Sequence, residues 1–176
     1  AALAAAAVTV WRAGMPTASP RAVAHTSLDR DIVIRTLWGE AVKEPRAGQI
    51  AVVWVMRNRL DNPYGWGSLA EICAACGYTR RDGRRFKVCQ FEPWLTRADE
   101  LMALSRDHPD YVRLGEVVDA VLAGDEPDPT GGAWYFLNRR TVLKRRRKEG
   151  RQMPEWAQNC VDIGLHSFCK PEIENA

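Results

Sequence analysis

Apolar positions recur with helical spacing over much of the chain, and the first such run predicts a helix from residue 28 or 29 to residue 42, capped by Ser27 or Asp29. Glu40 falls in the last turn of this helix. Glu44 follows just before Pro45, which ends the helix, and we expect its carboxylate to be solvated.

A second helix is predicted over residues 49–60, and its character differs from that of the first. Its residues 50–56 are apolar on every side, which is typical of a helix buried within a domain. The polar Asn58 lies near the end of this buried helix. Because a buried amide needs hydrogen-bonding partners, Asn58 is predicted to be a structural residue.

Shorter elements follow. Ser68 and Glu71 form a capping-box pattern that predicts a third helix over residues 69–76, followed by a polar loop over residues 77–87. Two further helices are predicted, one opening at Thr96 and running through about Ser105, the other from His108-Pro109 to Ala123, before Gly124.

Two segments late in the chain have an extended character. The stretch 131–137 places aromatic residues after a double glycine, and the stretch 165–168 is a second short extended piece. No internal repeat is visible. The predicted fold class is therefore mainly α (α+β), with a small β element.

Length and composition favour one domain, because 176 residues with 46% hydrophobic content suffice for one substantial core. We predict an Ala-rich arm and linker over residues 1–27, a folded domain over 28–170 and a tail over 171–176. The apolar run at the start is too short to span a membrane, which takes about 20 residues. It is interpreted as the remnant of an export signal, an artificial start, or an arm that docks on an assembly partner.

Charge is balanced overall but uneven along the chain. The net charge of +3 does not indicate a nucleic-acid-binding protein, and no nucleic-acid partner is predicted. Two groups of cations stand out, one around residues 80–85 and the other over 139–151, which includes five consecutive cations at 144–148. Either a solvated face or contact with an anionic polymer explains such groups, and a cell wall fits the rest of the sequence better than nucleic acid.

Five cysteines leave at least one thiol unpaired within the chain. Disulfides between Cys73 and Cys89 and between Cys160 and Cys169 are predicted, as suits an exported protein. A zinc site built on Cys73, Cys76 and Cys89 lacks a second close pair of ligands, so neither a metal nor a cofactor is expected.

Glu40 is the main candidate for catalysis. It lies in the segment Leu37-Trp38-Gly39-Glu40-Ala41, where aromatic and small residues surround a carboxylate. Burial of a carboxyl group disfavours its charged form and raises its pKa toward neutrality, the condition for a general acid. A solvated surface glutamate is the alternative interpretation.

Four segments together resemble the cell-wall hydrolase family typified by the spore-cortex-lytic enzyme SleB. They are residues 38–41 with 48–53 and 58–59; Cys89-Gln90-Phe91; residues 128–133 with 135–138; and residues 163–168. The sequence departs from the family pattern in two places. Val42-Lys43 stands where Arg-Gly is common, and Glu92-Pro93-Trp94 follows Phe91 where Ser often comes.

This resemblance implies a lysozyme-like fold that cleaves the glycan strands of peptidoglycan, with Glu40 as the acid. Because no second carboxylate is evident in the sequence, a lytic transglycosylase is favoured over a muramidase. Contact with the sugars, or alternatively a packing or turn role, is expected of Gln90, Phe91, Tyr135 and Asn138. The protein is then expected in the cell envelope or periplasm, or carried in a phage particle.

Other interpretations stay open. A peptidase or amidase could use Cys89 with His166, although a lone His among aromatic residues is more typical of a hydrogen-bonded core position. A zinc amidase is disfavoured because His25, His108 and His166 lack ligand spacing. A non-enzymatic wall-binding or virion module would leave Glu40 without a catalytic role.

Overall fold

The computed structural model describes residues 22–61, 67–150, 152, 157 and 160–170, with only the backbone of Arg81 and Arg145. Residues 1–21 of the predicted arm and the tail over 171–176 lie outside the described residues. The described helices are α1 (Ser27–Ala41), α2 (Arg46–Asn58), α3 (Leu69–Ala74), α4 (Glu92–Thr96), α5 (Ala98–Ala103), α6 (Pro109–Ala123) and α7 (Arg139–Lys148). The strands are β1 (Cys76–Arg81), β2 (Arg84–Cys89), β3 (Tyr135–Leu137), β4 (Cys160–Ile163) and β5 (His166–Cys169).

The core forms where α1, α2 and α6 pack on one another, with α3 against α1. Every residue of α2 from Gly48 to Arg57 is buried, as its uniformly apolar sequence predicts. Thr26, rather than the predicted Ser27 or Asp29, caps α1. Its hydroxyl accepts from the Asp29 N–H at 3.1 Å, while the Asp29 carboxylate accepts from the Thr26 N–H at 2.9 Å.

Asn58 fulfils its predicted structural role at the end of α2. Its side-chain amide donates to Asp128 at 3.0 Å and to the Ala133 carbonyl at 3.2 Å. The Asp128 carboxylate also accepts from the backbone N–H groups of Thr130 and Gly132. These bonds fix the turn that leads into β3, so the buried helix determines where the strand begins.

The β structure consists of two separate antiparallel sheets. The larger sheet has the strand order β3-β5-β4 and realises both of the predicted extended segments. The smaller one is a hairpin of β1 and β2, joined by a turn in which Asp82 and Gly83 have positive φ. The prediction of a loop over residues 77–87 was therefore wrong. A single strand pair exposed on both sides lacks the apolar alternation on which the strand prediction depends.

Two other predictions were incomplete. The helix predicted from Thr96 to about Ser105 is the shorter α5, because Arg97 leaves helical geometry with φ −152° and ψ 40°. Helix α4, which ends at Thr96, was not predicted. Helix α7 was missed because seven of its ten residues are cationic and its sequence shows little apolar periodicity. No described helix is long and apolar enough to cross a membrane.

One of the two predicted disulfides is wrong and the other is confirmed. Cys89 pairs with Cys76, its direct cross-strand neighbour in the hairpin, rather than with Cys73. Cys73 lies in α3 on the side that faces the core, where its thiol is free and fully buried. Cys160 pairs with Cys169 across β4 and β5, as predicted.

Candidate active site

Glu40 lines a cleft of about 500 Å³. It is half-buried in the last turn of α1, as predicted. The end of this helix is held by Gln49, whose amide donates to the carbonyls of Ala41 at 3.2 Å and Glu44 at 2.9 Å. Besides Glu40, the cleft is lined by Arg59, Cys89, Gln90, Phe91, Glu92, Tyr135, Phe136, Leu137, Asn138, Thr141, Val142 and His166.

The surroundings of Glu40 raise its pKa to about 7. Burial is the largest cause, and the negative charge of Glu92 is the second. The backbone amide of Glu92 and the charges of Arg97 and Arg59 act in the opposite direction. The carboxyl group is thus protonated in a substantial fraction of molecules at neutral pH, as a general acid requires.

Glu92 is a second carboxylate in the cleft, one that was not evident from the sequence. It begins α4, which approaches α1 closely because Gly39 has no side chain. A Cβ on Gly39 would lie 2.7 Å from the Pro93 Cβ. Arg97 strengthens the contact by donating to the Gly39 carbonyl. One signal was present, since Glu92 stands where the family often has Ser, but the separation of Glu92 from Glu40 along the chain concealed their proximity.

Arg59 lies in one of the segments that carry the family resemblance, but no role in the cleft was predicted for it. Its side chain is buried; Nε donates to the Trp134 carbonyl at 2.8 Å and a terminal nitrogen donates to Gln90 Oε1 at 3.3 Å. The guanidinium carbon lies 4.7 Å from the centre of the Phe91 ring. Burial lowers the Arg59 pKa, although the group stays charged near neutrality. Arg59 therefore brings a positive charge to the cleft and links its two walls.

The four predicted sugar-contacting residues all line the cleft with Glu40, but they differ in exposure. Gln90 and Tyr135 are exposed, and Asn138 is half-buried. Phe91 is 2% exposed and packs near Phe136, so its contribution is to the floor of the cleft. Asn138 also accepts a hydrogen bond from the Thr141 N–H at 3.0 Å, which caps the start of α7.

His166, which also lines the cleft, pairs with the buried Glu44. Glu44 is 8% exposed, so the prediction of a solvated carboxylate was wrong. Its carboxylate accepts from the Leu165 N–H at 3.0 Å and lies 3.4 Å from His166 Nδ1. The turn at Pro45 directs Glu44 toward the β4–β5 connection, where Gly164 at φ +61° leaves room for it.

His166 itself packs against aromatic rings, with its centroid 5.2 Å from that of Phe136. Burial lowers its pKa, and the charge of Glu44 opposes this shift. A neutral imidazole packed among aromatic residues agrees with the predicted core position. Its Nδ1, however, has no partner of hydrogen-bond geometry among the described residues.

Cys89 has no free thiol because of its disulfide with Cys76, which removes the nucleophile that a Cys-His peptidase or amidase would need. Among the described residues, no group of three or more His, Cys, Asp or Glu side chains is arranged to hold a metal ion. The cleft instead combines one acid of raised pKa, Glu40, with polar and aromatic side chains around it.

The model of the cell wall hydrolase family matches residues 43–169, more than two thirds of the chain. The chain belongs to the cell wall hydrolase family. Family membership confirms the resemblance seen in the sequence and makes this chain a peptidoglycan-degrading enzyme. The match begins three residues after Glu40, so it includes Arg59, Gln90, Glu92 and the aromatic strands but leaves α1 outside.

Two solved structures resemble this cell wall hydrolase. The catalytic domain of the Bacillus cereus SleB protein is 22% identical, with a TM-score of 0.53 over 90% of this chain and 100% of its own. The catalytic domain of the germination-specific lytic transglycosylase SleB from Bacillus anthracis is 23% identical, with a TM-score of 0.53 over 83% and 97%. The likeness establishes the predicted lysozyme-like α+β fold. A comparison with curated protein sequences found no match.

Proposed function

We propose that this cell wall hydrolase cleaves the β-1,4 bond between N-acetylmuramic acid and N-acetylglucosamine, with Glu40 as the catalytic acid. The observation that carries the proposal is the raised pKa of Glu40, about 7, in a cleft lined by polar and aromatic side chains. Cleavage needs a proton for a poor leaving oxygen while positive charge grows on the sugar. A protonated carboxyl beside a polar cleft supplies that proton at neutral pH.

The favoured route is that of a lytic transglycosylase. Glu40 donates its proton to the glycosidic oxygen, the bond from that oxygen to C1 of the muramic acid breaks, and Glu40 becomes a carboxylate. That carboxylate then accepts the proton of the C6 hydroxyl of the same sugar, whose oxygen bonds to C1. The product is a 1,6-anhydro sugar, Glu40 is protonated again, and no water is consumed.

Gln90, Tyr135 and Asn138 are proposed to contact the sugars, and Phe91 to support them from the floor of the cleft. Amide and phenol groups suit hydrogen bonding to acetamido and hydroxyl groups. Arg59 orients Gln90 through its 3.3 Å contact. No cofactor enters this scheme.

A muramidase is the second candidate, and Glu92 is the observation that favours it. Hydrolysis uses a second carboxylate as nucleophile or water activator. Glu92 is exposed and lines the cleft with Glu40. In this route Glu92 removes a proton from water, whose oxygen bonds to C1, and the product carries an ordinary reducing end.

One digestion separates these routes. Purified peptidoglycan is treated with wild type, Glu40→Gln and Glu92→Gln, and the products are identified by mass spectrometry. Anhydro-muropeptides that disappear with Glu40→Gln but persist with Glu92→Gln support the transglycosylase. Reducing ends that disappear with either variant support the muramidase. Retained activity in Glu40→Gln, or intact glycan with newly freed amino groups, contradicts the proposal.

The place of action is proposed from the substrate. Peptidoglycan lies outside the cytoplasm, and the two disulfides suit an oxidising compartment. We propose the cell envelope, the periplasm or a phage particle as the site of action. An assembly partner for the arm over residues 1–27 stays a prediction.

A further inference from the structure

The β1–β2 hairpin is exposed along both of its faces, unlike the rest of the described β structure. It packs against α4 near its base and is closed there by the Cys76–Cys89 disulfide. A two-stranded hairpin is marginally stable on its own in water, so the disulfide replaces the packing that this element lacks. A disulfide-linked hairpin with so little buried surface is suited to binding a ligand or another molecule.

The strand register sorts the hairpin side chains into two faces, because directly opposed residues of antiparallel strands project to the same side. Tyr78 opposes Lys87, and Arg80 opposes Arg85. We call these four residues the cationic face. The guanidinium carbon of Arg85 lies 3.8 Å from the centre of the Tyr78 ring, in agreement with this assignment.

Like charges directly opposite each other destabilise a strand pair, so the Arg80–Arg85 pair is a cost to the isolated hairpin. Among the described residues, no carboxylate lies within salt-bridge distance of Arg80, Arg85 or Lys87 to offset it. A bound anion would relieve this repulsion, and arginine is suited to the planar geometry of a carboxylate.

The base of the hairpin is also an edge of the catalytic cleft, since Cys89 and Gln90 line it. Arg80 and Arg85 lie four residues beyond Cys76 and Cys89, so the cationic face extends roughly 13 Å from that edge. In peptidoglycan, the peptide stem is attached to the muramic acid and carries free carboxylates. An extended stem of about four or five residues reaches roughly 13 to 18 Å.

We propose that the cationic face of the hairpin binds the carboxylates of the peptide stem borne by the muramic acid in the cleft. This inference rests on the proposed function, because the cleft must hold the glycan for its stem to reach the hairpin. The hairpin selects for stem-bearing strands, whereas the cleft acts on the sugars alone.

The test compares two substrates and two matched variants. The first substrate is peptidoglycan stripped of phosphate-containing polymers, and the second is the same glycan after an amidase has removed the stems. The variant Arg80→Gln/Arg85→Gln removes two charges from the cationic face. The control Arg140→Gln/Arg147→Gln removes two exposed charges from α7, on the face opposite the cleft-lining Thr141 and Val142.

On stem-bearing peptidoglycan we expect the hairpin variant to bind about five- to tenfold more weakly and its kcat/KM to fall by the same factor, because two exposed charge pairs are lost. The fall in kcat/KM should come from a higher KM. On stem-free glycan it should stay within about twofold of wild type, as should the control on both substrates. The charge-retaining Arg80→Lys/Arg85→Lys should recover part of the loss. Unchanged thermal unfolding would show that the exposed substitutions leave the fold intact.

An equal loss on both substrates, or none on either, overturns the inference. So does a loss that appears only when teichoic acid is left on the peptidoglycan, because the ligand would then be a phosphate polymer. Binding decides this question even without cleavage. If wild type binds but releases no glycan fragments from either substrate, the proposed function fails separately.

Discussion

The carboxylates of Glu92 and Glu40 line one cleft, and the charge of the first raises the pKa of the second. Two acidic groups that share a partly desolvated site cannot both ionise easily, so the proton stays on Glu40 to higher pH. Their proximity depends on the packing of α4 against Gly39.

Removal of the Glu92 charge should lower the Glu40 pKa. Activity that needs protonated Glu40 falls as the pH rises through about 7, and in Glu92→Gln this decline should occur at lower pH. It should stay above the ordinary value of 4.5, because burial is the larger cause of the shift. The measurement is kcat/KM against pH, with the exposed Glu116→Gln on α6 as control. An unmoved alkaline limb would contradict the coupling.

Arg59→Gln should move the same limb in the opposite direction, because the charge of Arg59 lowers the Glu40 pKa. Loss of its 2.8 Å bond to the Trp134 carbonyl should also reduce the free energy of unfolding by about 1 to 3 kcal/mol. Denaturant unfolding and a pH profile measure the two effects. Arg140→Gln, which removes an exposed charge from α7, should do neither.

Glu40→Gln should stabilise the protein at pH 8 but not at pH 4. The folded-state pKa, about 7, exceeds the ordinary value of 4.5, so the folded protein binds more protons between these values and loses stability as the pH rises through them. The neutral amide avoids that loss, on the order of 2 kcal/mol for a half-buried group. Thermal unfolding of both proteins from pH 4 to 8 tests this; a pH-independent difference would exclude burial as the cause.

Gly39→Ala should displace α4 from α1. Its Cβ would lie 2.7 and 2.8 Å from the Pro93 Cβ and Cγ atoms, so we expect a loss of about 1 to 3 kcal/mol in stability. Because Gly39 adjoins Glu40, the clash should also displace the catalytic acid, and kcat/KM should fall at least about tenfold. Gly77→Ala is the matched control, since a Cβ there meets nothing within 4 Å. Equal behaviour of the two variants would mean that the close approach is unimportant.

Cysteine mapping should give the pairs Cys76–Cys89 and Cys160–Cys169, with Cys73 alkylated only after denaturation. Burial raises the Cys73 pKa to about 12, so it has almost no reactive thiolate while the protein is folded. Peptide mass analysis under non-reducing conditions checks the pairing. A fragment that joins Cys73 to Cys89 would contradict it.

Sequence alone predicted what depends on local periodicity. The uniformly apolar α2, the start of α6 at Pro109 and the place of Glu40 in α1 all follow from spacing over one or two turns. The hairpin and α7 escaped prediction because neither has a buried apolar side that leaves a pattern.

The candidate site was predicted only where a residue has its own signature. Glu40 lies within a recognisable segment, and Gln90 and Tyr135 lie within others. Glu92 and Arg59 acquire their place from packing between helices and strands far apart in sequence. Glu44 was misjudged for the same reason, since its partner Leu165 lies 121 residues away.

The burial of Cys73 has a consequence for the order of folding. Each disulfide joins neighbouring residues of its own antiparallel strand pair, with sequence separations of 13 and 9 residues, so neither is needed to assemble the helices. If α3 docks on α1 before oxidation, the odd thiol is withdrawn from solvent and cannot compete for Cys89. The four remaining cysteines then pair with their cross-strand neighbours, which the strand register already places opposite each other.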